Sequence, residues 1–180
     1  AGLAATYWES RDERVETTLA RLDQLNPNAP DGQAIRAEML LDARKIPEAL
    51  ARIDGVLAVN PNHLRFRALK AAALFLLDDT EAMKALQAET LAFNPLCSDV
   101  YHYPGKIATR YYRFKEAETL QRQALDTNPQ DHEARAELAI NLLRLGKDDE
   151  AKKELDAAFA ADPYNVTVFN SLKVLDTLNS

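Results

Sequence analysis

The feature that most constrains this chain is a beat of proline pairs: Asn26-Pro27, Asn60-Pro61, Asn94-Pro95, Asn128-Pro129 and Asp162-Pro163, each 34 residues after the last. Five of the eight prolines keep that spacing without slippage, so the chain reads as an internal repeat before it reads as anything else. A repeat unit this short cannot bury its own apolar face, and must stack on its neighbours to do so.

Aligning the periods with the proline as position 32 shows what recurs. Position 20 reads Val15, Ala49, Met83, Ala117, Ala151, and position 28 reads Asp23, Leu57, Leu91, Leu125, Phe159. Position 8 reads Leu3, Ala37, Ala71, Gly105, Ala139, and position 11 reads Thr6, Leu40, Leu74, Ala108, Leu142. Within the fifth period Leu138, Leu142 and Leu145 form one stripe at helical spacing, and Ala151, Leu155, Ala158 and Phe159 form another. Gly146 between them supplies a helix stop and Asp148 a helix start. The beat proline then ends the second helix, because it lacks an N–H and pushes the residue before it out of the helical region.

Each period therefore predicts a helix hairpin, with helices over 2–9, 11–25, 31–43, 47–59, 63–77, 80–93, 98–112, 114–127, 132–145, 148–161 and 165–178. No segment alternates with period two, which predicts no strand. Gly55 falls inside a good helix at a cost of about 1 kcal/mol relative to alanine, and predicts close helix packing there.

The net charge of -6, from 22 basic and 28 acidic side chains, divides evenly between the halves of the chain. Without a basic region, nucleic acid and anionic membrane are not expected partners. A lone cysteine, Cys97, excludes an intrachain disulfide and any multi-cysteine metal site, and is expected to be a small buried or half-buried side chain. No apolar run approaches a membrane span. The opening Ala1-Gly2-Leu3-Ala4-Ala5 has neither an initiator methionine nor a signal pattern, which suggests a fragment of a larger or processed protein, with bacterial cytoplasm and periplasm both open.

Small residues at positions 8, 20 and 27, large ones at 7, 11, 24 and 28, Gly at 15 and Pro at 32 are the pattern of the tetratricopeptide repeat. The segment 132–165 resembles it best, through Leu138, Ala139, Leu142, Gly146, Ala151, Leu155, Ala158 and Pro163. The resemblance implies an all-α, right-handed superhelical solenoid of stacked antiparallel hairpins: one domain over 1–180, with repeats at about 1–29 (truncated), 30–63, 64–97, 98–131 and 132–165 and a terminal helix at 166–178. Departures from the pattern include Arg36 and Lys70 at position 7 and Gln87 at position 24.

No catalytic, cofactor or metal motif is present: the glycines are scattered, and His132-Glu133-Ala134-Arg135-Ala136 lacks the second histidine of a zinc-protease helix. His63, His102 and His132 read as surface or hairpin-end residues. In the family, positions 2, 5, 6, 9, 12 and 13 of each first helix line a concave groove, and the resemblance places His102, Tyr103, Lys106, Arg110, Arg144 and Arg65 there as partner-binding candidates. Tyrosine and arginine dominate binding hot spots. Tyr101, Tyr111 and Phe114 are expected in the core. The lysine and asparagine set with which some members clamp a chaperone's C-terminal carboxylate is not matched: Ala34, Glu38, Leu69, Asp99 and Tyr103 stand in its place. Pro104 should kink its helix or delay its start to Tyr103-Pro104.

In the last helix Phe169, Leu172 and Leu175 are expected to cover the fifth hairpin, leaving Val174 and Leu178 as an apolar terminal interface for a homodimer or an intramolecular contact. About fifteen residues from Asp162 also resemble the junction before a zincin-like peptidase domain in large bacterial proteins. The expected function is a non-catalytic interaction or scaffolding module that binds a protein or peptide segment in its groove. The alternative is a structural arm that positions or dimerises a larger enzyme.

Overall fold

The computed structural model describes residues 2–9 and 12–178, with the side chains of Glu9 and Leu178 outside the description. Eleven α-helices and no strand occur among the described residues: α1 Gly2–Glu9, α2 Arg14–Leu25, α3 Pro30–Asp42, α4 Ile46–Val59, α5 Leu64–Leu76, α6 Thr80–Phe93, α7 Asp99–Arg110, α8 Phe114–Thr127, α9 His132–Arg144, α10 Asp148–Ala161 and α11 Val166–Leu178. None is long and apolar enough to cross a membrane. The boundaries follow the proline beat, and the turns show why.

Before each beat proline the Asn or Asp leaves the helical region, at φ -156° and ψ 93° for Asn26 and φ -138° and ψ 97° for Asn128. Its side-chain oxygen accepts the N–H two residues on, from Asn28, Asn62, Leu96, Gln130 and Tyr164, at 3.0–3.3 Å. These five Asx turns explain why the pair is Asn-Pro or Asp-Pro rather than any residue before proline. The proline carbonyl is also used, since Gln33, Arg67 and Arg135 donate to Pro27, Pro61 and Pro129.

The turn inside each of the last four hairpins repeats with the same period. Arg44, Asp78, Tyr112 and Gly146 all have positive φ, at 58°, 54°, 61° and 70°. The residue after each returns an N–H to a carbonyl five back, as Lys45 to Leu40 and Lys147 to Leu142, both at 2.9 Å, so the first helix ends in a Schellman motif. Only the fifth hairpin places glycine where the left-handed conformation favours it.

The chain divides into two compact units, Ala1–Met83 and Lys84–Ser180. In the first unit Ala4, Val15, Leu19 and Ile35 form a core flanked by Tyr7, Trp8 and Met39. The basic residues at position 7 are matched by acids on the preceding helix: Arg36 lies 2.5 Å from Asp23, and Lys70 lies 2.8 Å from Asp54. Gly55 corrects an expectation, because nothing lies within 4 Å of where its Cβ would be. It opens onto a cavity and not onto a neighbouring helix.

In the second unit Leu138, Leu142 and Ala151 form one cluster, and Ala139, Leu155, Ala158, Val168 and Leu175 form another that seats α11. Val168, fully buried, takes the place expected for Phe169, which is 44% exposed and meets Phe159 at the rim. The expected delay at Pro104 is also corrected. Helix α7 starts at Asp99 and runs through Pro104 to Arg110.

What makes that tolerable is a repair. Pro104 has no N–H for the Val100 carbonyl one turn back, and the buried Gln87 side chain on α6 donates to that oxygen at 3.0 Å instead. Gln87 is thereby explained: an apolar residue at position 24 would leave Val100 O short of a donor.

Candidate interaction site

The second unit gathers its polar side chains on α7, α8 and α9. His102, expected at the surface, is 1% exposed. Its Nδ1 lies 2.9 Å from Oε1 of Gln121 on α8, which makes Nδ1 the donor, and the Gln121 amide also faces the His102 carbonyl at 3.5 Å. Room for that amide comes from Gly105, where a Cβ would stand 2.7 Å from Gln121 Nε2. A second, partly buried link ties Thr109 on α7 to Asn141 on α9 at 2.9–3.0 Å.

Above this layer lie the charges. Glu133 at the start of α9 accepts from Lys106 at 2.6 Å, and its same oxygen lies 3.4 Å from His102 Nε2, an ion-pair approach too poorly aligned to satisfy that buried nitrogen as a hydrogen bond. The nearness of His102, with Lys106, holds the Glu133 carboxyl well below the usual carboxylate range against the opposing effect of burial. Burial alone would lower His102, but Glu133 outweighs it and the imidazole is held above its ordinary value. Lys106 behaves alike: burial pulls it down, while Glu133 and Glu137 bring it above its ordinary value. Asp99 is raised by burial, with Asp131 and Glu133 adding to the effect. Tyr103 completes the patch, with Lys106 Nζ 5.8 Å from its ring centre.

The structure thus brings His102, Tyr103 and Lys106 together. Arg110 is exposed in the last turn of α7, and Arg144 lies over the Phe114 ring at 5.1 Å. Arg65 belongs to the other unit, where it pairs with Glu38 at 3.0 Å and Asp31 at 3.6 Å, and Trp8 Nε1 donates to the same Glu38. Tyr101, Tyr111 and Phe114 are half-buried, and Cys97 is buried as expected. Gln121 went unremarked in the sequence, although a second glutamine at position 24, after Gln87, was a visible signal.

Val174 is 58% exposed, and Leu178 lies outside the described side chains. Their register changes their meaning. Val174 stands 34 and 68 residues after Ile140 and Lys106, at the position that the family's register assigns to the groove rather than to the face a further hairpin would cover. On that face Lys173 and Asp176, both exposed, replace the buried Ala139 and Leu142 of the preceding period. Helix α11 therefore presents polar side chains at those two positions. Among the described residues, no group of three or more His, Cys, Asp or Glu is placed to hold a metal ion.

Residues 109–173 match the family model described as tetratricopeptide repeat. The fold is similar to the crystal structure of TTC0263, a thermophilic TPR protein in Thermus thermophilus, at 20% identity and a TM-score of 0.61, covering 96% of this chain and 95% of that one. Weaker likenesses are MamA from Desulfovibrio magneticus RS-1, at 15% identity, TM-score 0.49 and coverage of 92% and 94%, and YrrB, described as a TPR protein with an unusual peptide-binding site, at 19%, 0.49, and 89% and 83%. No curated protein matches the sequence. The described residues thus have the fold of tetratricopeptide-repeat proteins, and the segment 109–173 matches that family's sequence model. That fold is one of protein–protein interaction and scaffolding. The further resemblance to a zincin-like peptidase junction is not borne out, and most of its segment falls within the repeat match.

Proposed function

We propose that the chain is a non-catalytic interaction module that holds a peptide or partner segment on the groove row of the second unit, with Tyr103, Lys106, Arg110 and Arg144 making the contacts. The observation that carries this reading is the layered arrangement on α7. Beneath the outer side chains, His102 with Gln121, buried, and Thr109 with Asn141, partly buried, form hydrogen bonds that fix the helix. Above them Lys106 is already oriented by Glu133. A surface whose side chains are held before the partner arrives loses less entropy on binding.

The row then continues through Ile140 to Val174, so the binding strip grades from charged and aromatic to apolar. A peptide with an apolar anchor and a polar end suits it. The test is selection of peptides from a displayed random library, followed by titration of the best sequence against Tyr103→Ala, Arg110→Ala and the double variant. Each single change should weaken binding about ten-fold, as for a hot-spot residue. Unchanged affinity in the double variant, with Lys152→Ala on the opposite helix as control, would show that this row is not the site.

A further inference from the structure

The first unit contains a cavity that the groove reading does not use. It measures about 780 Å³ and runs along α4, with Ala51, Gly55, Val56 and Val59 on its apolar side. That is the size of a small-molecule site, which is commonly about 300–1,000 Å³.

Gly55 is the residue the fold does not account for. It lies in the middle of α4 with ordinary helical backbone, and a Cβ there would meet nothing within 4 Å. Neither a turn nor a close approach calls for glycine, and alanine would form the helix better. A side chain at 55 would project into the space the cavity occupies.

Arg52 lines the same cavity, three residues before Gly55 and on the same helix face. Its Nη1 donates to the neutral amide of Gln33, its Nε is buried without a hydrogen bond, and among the described residues no carboxylate neutralises it. Glu48, one turn earlier, lines the cavity without pairing to it. A part-buried guanidinium without an anion, beside an apolar trough, complements a molecule of the opposite build. A carboxylate suits the guanidinium fork, which can offer it parallel N–H groups. We propose that the α4 cavity binds an aliphatic carboxylate, with Gly55 leaving room for the chain and Arg52 holding the carboxylate.

Octanoate and 1-octanol are the probes, titrated calorimetrically into the full chain, with amide NMR shifts locating the site. Octanoate should shift amides within residues 51–59 and bind about ten-fold more tightly than octanol. Arg52→Gln should remove that preference while leaving octanol unchanged. Gly55→Leu, a better helix former, should abolish both, and Gly55→Ala should weaken them; circular dichroism melts at or above the parent's show that the fold is kept. The proposal is overturned by equal affinity for acid and alcohol, by octanoate binding that survives Gly55→Leu, or by shifts outside this helix. Absence of octanoate binding at millimolar concentration overturns it too, including where a peptide with a free C-terminal leucine does bind. Because the groove row lies on other helices, none of these outcomes bears on Tyr103 and Arg110.

Discussion

The Pro104–Gln87 repair makes a prediction whose size follows from the structure. Replacing Gln87 with leucine removes the donor at 3.0 Å from Val100 O and leaves a buried carbonyl without a partner. Such a loss costs about 1–3 kcal/mol, partly offset by the apolar side chain that position 24 elsewhere holds in Leu19, Ile53 and Leu155. In a Pro104→Ala background the new N–H at 104 can bond Val100 O along the helix, and Gln87 becomes dispensable. Gln87→Leu should then be neutral or stabilising. The two substitutions should therefore couple by about 1–3 kcal/mol in a double-mutant cycle, although Pro104→Ala alone has no fixed sign because it also removes a buried ring. Urea titrations of the parent, both single variants and the double variant, followed by circular dichroism, read the coupling directly. For a chain of this length each kcal/mol also moves the melting temperature by about 2–4 °C. Additivity within about 0.5 kcal/mol would show that Gln87 is not compensating for the proline, and the account of α7 would fall with it.

Glycine at the left-handed hairpin positions Arg44 and Tyr112 should raise stability by about 1 kcal/mol each, and Gly146→Ala should lower it by a similar amount, read from thermal melts. Two of the helix glycines, Gly55 and Gly105, should respond with opposite signs. Gly55→Ala should stabilise by up to about 1 kcal/mol because its Cβ meets nothing, whereas Gly105→Ala should destabilise because its Cβ would enter the Gln121 amide at 2.7 Å. His102 predicts a pH dependence. Its folded value is raised above the ordinary 6.5, with Glu133 outweighing burial, so its contribution is complete below that ordinary value and is lost as pH rises through the folded value. The charges around it are Asp99 and Lys106 on α7 and Glu133, Glu137 and Asp131 on or beside α9, and α8 contributes the neutral Gln121. Stability measured from about pH 6 to 9 should fall in the parent and be flatter in Glu133→Gln. An unchanged slope in that variant would remove Glu133 as the cause.

Period, hairpins and helix ends were legible because local chemistry sets them. Asn or Asp before proline makes the same Asx turn wherever it occurs, and Leu145-Gly146-Lys147 announces a Schellman stop. What could not be read was compensation between distant residues. Pro104 on its own says a kink or a delayed start, and the donor that Gln87, seventeen residues earlier, brings to Val100 O lies outside that local reading. His102 on its own says surface, and only Gln121 beneath it makes burial tolerable. The register assigns Val174 to a groove position and Lys173 and Asp176 to the outer face, a distinction that apolar character alone does not make. Gly55 was misread because a helix glycine signals a missing side chain without saying whether a neighbour or a cavity fills the space.

Five residues around α7 depend on one another. Gln87 answers the missing N–H of Pro104; Gln121 answers His102 and occupies the space that Gly105 leaves. Returning any one of them to the repeat pattern strands another: leucine at 87 leaves Val100 O bare, alanine at 105 displaces the Gln121 amide, and leucine at 121 leaves His102 Nδ1 unpaired in a buried site. Apolar packing would hold the hairpin at least as well, since buried polar networks seldom exceed well-packed hydrophobic residues in stability. Stability alone therefore does not account for the set. Its distinctive effect is directional, because hydrogen bonds fix the rotation of α7 more narrowly than a leucine contact does. That rotation determines where Tyr103, Lys106 and Arg110 point, and this is the physical reason to look for the partner on α7 rather than on a hairpin whose core is only apolar.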